Sequence, residues 1–164
     1  MATTVQDDYL RSSLFGVEDA LVSTTGMIVG LIVASPTKEF ILLAALITIA
    51  VEASSMGAGE FLSERAVHQL EKDKLTRENF IFGGLIMFAS YTLAGLIPLL
   101  PIMFFPLPEA GFISVICAFI GLYALGYIKG KVVKINRNRS GLEMLFVGGI
   151  ATIIGITVGL LLRI

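Results

Sequence analysis

The sequence has 164 residues, of which 55% are hydrophobic and 15% charged, with a formal net charge of −1. Soluble domains average about 25% charged residues, and a chain of this length cannot bury so much apolar surface in a core of its own. These values exclude an ordinary soluble enzyme, and the charge balance gives no basic field for nucleic acid, so we predict an integral membrane protein.

Five stretches are long and apolar enough to cross a bilayer as helices, each of which needs about 20 residues. In chain order, the expected spans are 14–34, 40–62, 80–105, 110–128 and 142–162. We therefore predict an all-α, polytopic membrane protein with one transmembrane domain over residues 1–164. The prolines near the end of the third span are expected to stop that helix; they are Pro98, Pro101, Pro106 and Pro108.

The distribution of lysine and arginine predicts the orientation. If the N-terminus is cytoplasmic, ten of the twelve basic residues lie on the cytoplasmic side, and only Lys38 and Arg163 lie on the far side. This agrees with the positive-inside bias, so we expect the N-terminus inside and the C-terminus outside. The basic run Lys129–Arg139 is explained by this topological role, and a specific site for anionic lipid or a partner is the alternative.

Most acids are expected at the membrane interfaces, and Glu60 lies near the cytoplasmic end of the second span, but Glu18, Asp19 and Glu52 are expected deeper within their spans. A charge near the centre of a spanning helix costs about 2.5 kcal/mol or more. From the helical rise, Asp19 and Met56 come to matching depths, and Glu52 lies close to the midplane. No basic residue is expected at that depth. Since unpaired acids in a membrane need protons or a cation, we predict a pathway for one or both.

The spacing of Glu52, Met56 and Glu60 places these side chains on one face of the second helix. Carboxylates with a thioether favour Fe²⁺ or Mn²⁺ over Ca²⁺ or Na⁺, and the ligands of a dedicated zinc site are missing. The same oxygen atoms hold protons when no metal is bound. The residues therefore predict exchange of a divalent metal for protons.

Simpler structural explanations exist for some of these residues. Glu18, and also Asp19, could stabilise the first turn of the first helix, because acids are favoured at helix N-termini. Met56 considered alone could be ordinary packing. The second helix is expected to continue into the cytoplasm, and three residues there could share one face and form a weaker candidate metal site: Glu64, His68 and Glu71.

Two segments resemble signatures of the vacuolar iron transporter family. Residues 16–26, GVEDALVSTTG, are similar to the first-span signature G-x-x-D-G-L-V-T-T. Residues 52–63, EASSMGAGEFLS, are similar to the second-span signature (E/D)-x-x-S-M-G-x-G-E-Y-L-S. The resemblance implies a homodimer whose two first spans line a central pathway. It also implies export of Fe²⁺, and often Mn²⁺, from the cytosol in exchange for protons.

The resemblance assigns the family's pathway aspartate to Asp19, its methionine to Met56 and its second-span acids to Glu52 and Glu60. The chain departs from the family pattern at Ala20, which stands where the family has glycine. A second departure is the link between spans two and three, which has about 17 residues where better-known members have a long glutamate-rich cytoplasmic domain. Capture of metal from the cytosol is then left to three acids: Glu60, Glu64 and Glu71.

Two further functions remain open from the sequence. One is a non-transporting membrane scaffold or regulatory module that retained the fold. The other is a di-metal membrane enzyme, which is disfavoured because the one histidine, His68, lies outside the expected spans. We expect no permanently bound cofactor, with Fe²⁺ or Mn²⁺ as transported substrate. The compact chain, in which we find no targeting sequence, favours a prokaryotic plasma membrane over a vacuolar or other organelle membrane.

Overall fold

A computed structural model describes residues 5–34, 37–71, 77–107 and 109–162. These residues form a bundle of five helices: α1 (Val5–Ala34), α2 (Lys38–Glu71), α3 (Arg77–Phe104), α4 (Glu109–Val132) and α5 (Arg137–Leu161). Every one contains a segment long and apolar enough to cross a membrane. The expectation of an all-α chain with five spanning helices is confirmed.

The helices extend beyond the expected spans, and nearly all of the extra length lies at one end of the bundle. α1 begins at Val5 rather than near residue 14, and α2 continues to Glu71 rather than ending near residue 62. At 34 residues, α2 is about 51 Å long, whereas the hydrocarbon layer is about 30 Å thick. The polar extra turns therefore project past the apolar layer. We call this side, which carries residues 7–13, 63–71 and 129–139, the basic end.

The helix α3 passes through two of its prolines. It continues through Pro98 and Pro101 and ends at Phe104, so the expectation that these two residues stop the helix is wrong. The hydroxyl of Ser114 on α4 donates to the carbonyl of Pro98, with 2.6 Å between the oxygens. Membrane helices tolerate proline where neighbouring groups bond to the disturbed backbone in this way. Pro108 lies outside the described residues.

The helix α1 lies at the centre of the bundle. It contacts all four other helices and packs most extensively on α3 and α5, whereas α2 packs mainly on α3. One buried apolar cluster, which includes Ala20, Ala53 and Tyr91, joins these helices on the side toward the basic end. Because Asp19 and Glu52 directly precede Ala20 and Ala53, both acids adjoin this cluster.

Small residues allow α1 and α5 to meet backbone to backbone. Gly26 and Gly30 on α1 face Gly155 and Gly159 on α5. A Cβ atom added at Gly30 would lie 2.7 Å from the carbonyl oxygen of Gly155. The hydrophobic effect does not drive helices together in lipid. Close backbone approach stabilises the helix pair through dispersion contacts instead.

We expect Gly30→Ala to destabilise the bundle by about 1–3 kcal/mol, because the added methyl group must push two backbones apart. Gly149→Ala is the matched control, since a Cβ atom there meets nothing within 4 Å. Thermal unfolding of both variants in detergent measures the difference. Equal midpoints for the two variants would contradict the close contact between α1 and α5.

Candidate metal centre

The carboxylate of Glu52 is held by hydroxyl groups from two other helices. Tyr91 on α3 is fully buried, and its hydroxyl donates to the Glu52 carboxylate. The hydroxyl of Ser23 on α1 donates to the same carboxylate over 3.4 Å and lies 2.8 Å from the Tyr91 hydroxyl. These bonds connect α1, α2 and α3 and fix the position of Glu52 without any basic side chain.

Sequence reasoning missed Tyr91. Its signal was a tyrosine about eleven residues into the apolar third span, which is deeper than the headgroup level where membrane tyrosines usually lie. A buried tyrosine hydroxyl needs a hydrogen-bond partner. The partner, Glu52, is 39 residues earlier in the chain, so only the folded bundle reveals the contact.

The side chain of Asp19 is half-buried and lies one helical turn before Ser23, whose hydroxyl bonds to the Glu52 carboxylate. Neither acid forms an ion pair with a residue that the structure describes. The explanation of Asp19 and Glu18 as first-turn acids is wrong, because α1 begins at Val5 and its first-turn acids are Asp7 and Asp8. A helix dipole therefore offers no stabilisation to either residue in the interior of α1.

The side chain of Met56 reaches the same part of the bundle as the two acids. It is half-buried and packs against the cluster that contains Ala20 and Tyr91. The structure thus brings two carboxylates and one thioether, from Asp19, Glu52 and Met56, to the contact region of α1, α2 and α3. Glu18 is half-buried on α1, and its assignment as a weaker ligand stays a prediction.

Glu60, which was predicted to share one face of the second helix with Glu52 and Met56, has a basic partner. The guanidinium of Arg11 lies 3.1 Å from the Glu60 carboxylate and 3.9 Å from that of Glu64. The hydroxyl of Ser12 also donates to Glu60. The expectation that the acids on this helix face have no counter-charge is therefore wrong at Glu60. The reason is that α1 begins at Val5, so its extra N-terminal turns place Arg11 beside α2.

The weaker candidate site on the α2 extension is only partly described. The Glu64 side chain is 6% exposed and lies against Gly83, where an added Cβ atom would come within 2.6 Å of the carboxylate. The ring of His68 stacks on Phe80 with centroids 5.5 Å apart. The side chain of Glu71 lies outside the described residues. Among the side chains that are described, no three His, Cys, Asp or Glu residues lie close enough together to hold a metal.

We expect Tyr91→Phe to lower the free energy of unfolding by about 1.5–3 kcal/mol, because it removes a hydrogen bond to a buried carboxylate. Tyr123→Phe is the control, since the hydroxyl of Tyr123 bonds to the exposed side chain of Asn138. The double variant Glu52→Gln/Tyr91→Phe completes a double-mutant cycle and should show coupling between the two positions. Additive effects in thermal unfolding would contradict the Tyr91–Glu52 contact.

The comparisons with known proteins cover most of the chain. The model of the VIT family matches residues 10–82 and 79–160, and the first match includes Asp19, Glu52, Met56 and Glu60. The chain is also 29% identical to vacuolar iron transporter homolog 2 of Oryza sativa subsp. japonica. That alignment covers 89% of this chain and 86% of the rice protein. The chain belongs to the VIT family.

Proposed function

We propose that this protein exports Fe²⁺ or Mn²⁺ from the cytosol in exchange for protons. Membership of the VIT family and the name of the rice relative support transport of a metal, with iron the first candidate. The observation that carries the proposal is the pair of acids Asp19 and Glu52: Asp19 lies one helical turn before Ser23, whose hydroxyl bonds to Glu52, and neither acid has a basic partner among the described residues. A pair of this kind is costly in a membrane unless a cation or protons occupy it.

The donor atoms suit this cargo. Carboxylate oxygens with a methionine sulfur favour a first-row divalent ion over Ca²⁺ or Na⁺. Tyr91 and Ser23 orient the Glu52 carboxylate, which leaves its remaining lone pairs available to an ion. When no metal is bound, protons can occupy the same carboxylate oxygens. Metal and protons therefore compete for the same oxygen atoms, which couples their movements.

A second copy of the chain would complete the coordination. One chain offers two carboxylates and a thioether, and a two-fold axis beside α1 would double that set. A groove of about 440 Å³ between α1 and α5 lies on the same face of α1 as Asp19 and is lined by small and apolar side chains, among them Val22, Ser23, Met27, Ala151 and Ile154. We propose that α1 of a partner copy packs over this face in a homodimer.

The direction of transport follows from the proposed orientation. With the N-terminus inside, the basic end is cytoplasmic, and Glu60 and Glu64 stand between the cytosol and the deeper acids. Metal would enter there and leave at the opposite side of the membrane. In a prokaryotic plasma membrane, which we propose as the location, this polarity means export from the cell.

We expect Asp19→Asn and Met56→Ala each to reduce metal flux at least tenfold in proteoliposomes, because each removes one metal ligand. Asparagine keeps the volume of the aspartate, and alanine keeps the site apolar at position 56. Met103→Ala is the matched control for the methionine, since Met103 is 51% exposed on α3. The assay records Fe²⁺, Mn²⁺, Co²⁺ and Zn²⁺ uptake together with proton movement. Unchanged flux in both site variants would contradict the proposed pathway, and absence of flux in the wild type under either gradient would favour the scaffold function.

We expect Arg11→Gln to lower the metal concentration for half-maximal flux about two- to fivefold. The substitution breaks the ion pair between Arg11 and Glu60. Because the Arg11 side chain is largely exposed, this pair contributes no more than about 1 kcal/mol. Arg65→Gln is the control, because it removes an exposed cation from the same end of α2. An equal shift in both variants would show a general charge effect and would contradict competition between Arg11 and metal at Glu60.

A further inference from the structure

The connection between α4 and α5 concentrates positive charge at one surface of the bilayer. Residues 110–142 contain no acidic residue, and within them are five basic ones: Lys129, Lys131, Lys134, Arg137 and Arg139. By contrast, the sequence of residues 63–79 contains equal numbers of basic and acidic residues, four of each. We call residues 127–139 the basic hairpin.

Four of the five cations of the basic hairpin are exposed, Lys129 is half-buried, and most of their charge is uncompensated. All residues from 131 to 139 are exposed to solvent. Of the five cations, Arg139 forms an ion pair, with Glu143 at 3.2 Å, and the other four form none with residues that the structure describes. Arg137 instead places its guanidinium 5.8 Å from the ring centroid of Tyr127. An anion that approaches this surface therefore meets four cations without a competing carboxylate.

The backbone holds these cations in a defined arrangement. A four-residue connection, 133–136, joins the two helices, with Lys134 at a φ of 59° in the turn. The side chain of Asn136 accepts a hydrogen bond from the backbone N–H of Arg139 and begins α5. At Gly130, a Cβ atom would lie 2.8 Å from the Cα atom of Arg137, so the helices touch just below the turn. The hairpin is therefore compact and not a loose, charged loop.

The position of the hairpin identifies the anion. Because two spanning helices are joined by so few residues, the connection must lie at the level of the lipid headgroups. Aliphatic side chains are exposed between the cations, including Val133 at 55% and Ile135 at 49%. Exposed aliphatic groups among lysines are unfavourable in water but suit the interface, where they reach the acyl boundary while the ammonium groups meet phosphates.

We propose that the basic hairpin is a binding site for the headgroup of an anionic phospholipid. Lys131, Lys134 and Arg137 contact the phosphate, and the exposed aliphatic residues lie against the acyl chains. A purely topological role would require only that the residues be positive during insertion. A lipid site predicts, in addition, that the folded protein binds anionic phospholipid in preference to zwitterionic phospholipid.

The test uses the purified full chain in detergent, to which phosphatidylglycerol or phosphatidylcholine is added, with bound lipid counted by native mass spectrometry. We expect preferential retention of phosphatidylglycerol, and Lys131→Gln/Lys134→Gln should weaken it about 10–30-fold, since each surface cation contributes up to about a fivefold factor. Lys131→Arg/Lys134→Arg should retain binding, and Arg65→Gln should leave it unchanged.

A salt series on the wild type provides a readout that does not depend on any variant, because screening should release phosphatidylglycerol as ionic strength rises. Equal retention of the two lipids would overturn the proposal, as would full binding by Lys131→Gln/Lys134→Gln. Displacement of the lipid by millimolar inorganic phosphate would also overturn it, since the site would then recognise a soluble anion and not a membrane lipid.

Discussion

A carboxylate in the hydrocarbon layer has to be neutralised or bonded by the protein around it, and the partners of Glu52 among the described residues are hydroxyl groups. The chain formed by Ser23, Tyr91 and Glu52 joins three helices, so the position of α2 relative to α1 and α3 depends on it. A lysine or arginine in place of these hydroxyls would give the acid a counter-charge. Hydroxyl donors bond the carboxylate without supplying one, which is costly in a membrane unless a proton or a cation does so.

Close backbone contacts make such a narrow polar region possible. α1 meets α5 at Gly30 and Gly155, and α2 meets α3 at Gly57, where a Cβ atom would lie 2.8 Å from the carbonyl oxygen of Gly84. With no bulky side chains between the helices, short side chains such as Ser23 can reach across to a neighbour. The glycines therefore serve the site indirectly, because they bring the helices within reach of one another.

The sequence predicts the spans and the central acids well, for one physical reason. Lipid offers no hydrogen bonds, so apolar length identifies a spanning helix, and a charge within it is conspicuous at Asp19 and Glu52. The polar extensions of α1 and α2 lack this signal, since a helix outside the bilayer needs no apolar run. For the same reason the Arg11–Glu60 pair was not predicted. Contacts such as Tyr91–Glu52 join residues far apart in the chain, and no local pattern specifies them.

The passage of α3 through its prolines has a consequence for the far half of the bundle. Proline has no N–H group, so Pro98 cannot donate to the carbonyl of Ala94, and Pro101 cannot donate to that of Ile97. Ala94 is buried and lies about one helical turn beyond Tyr91, away from the basic end. The carbonyl of Ala94 therefore lacks its usual helical donor, so α3 is held by fewer backbone hydrogen bonds here than along the rest of its length. We expect any bend of α3 to fall in this turn.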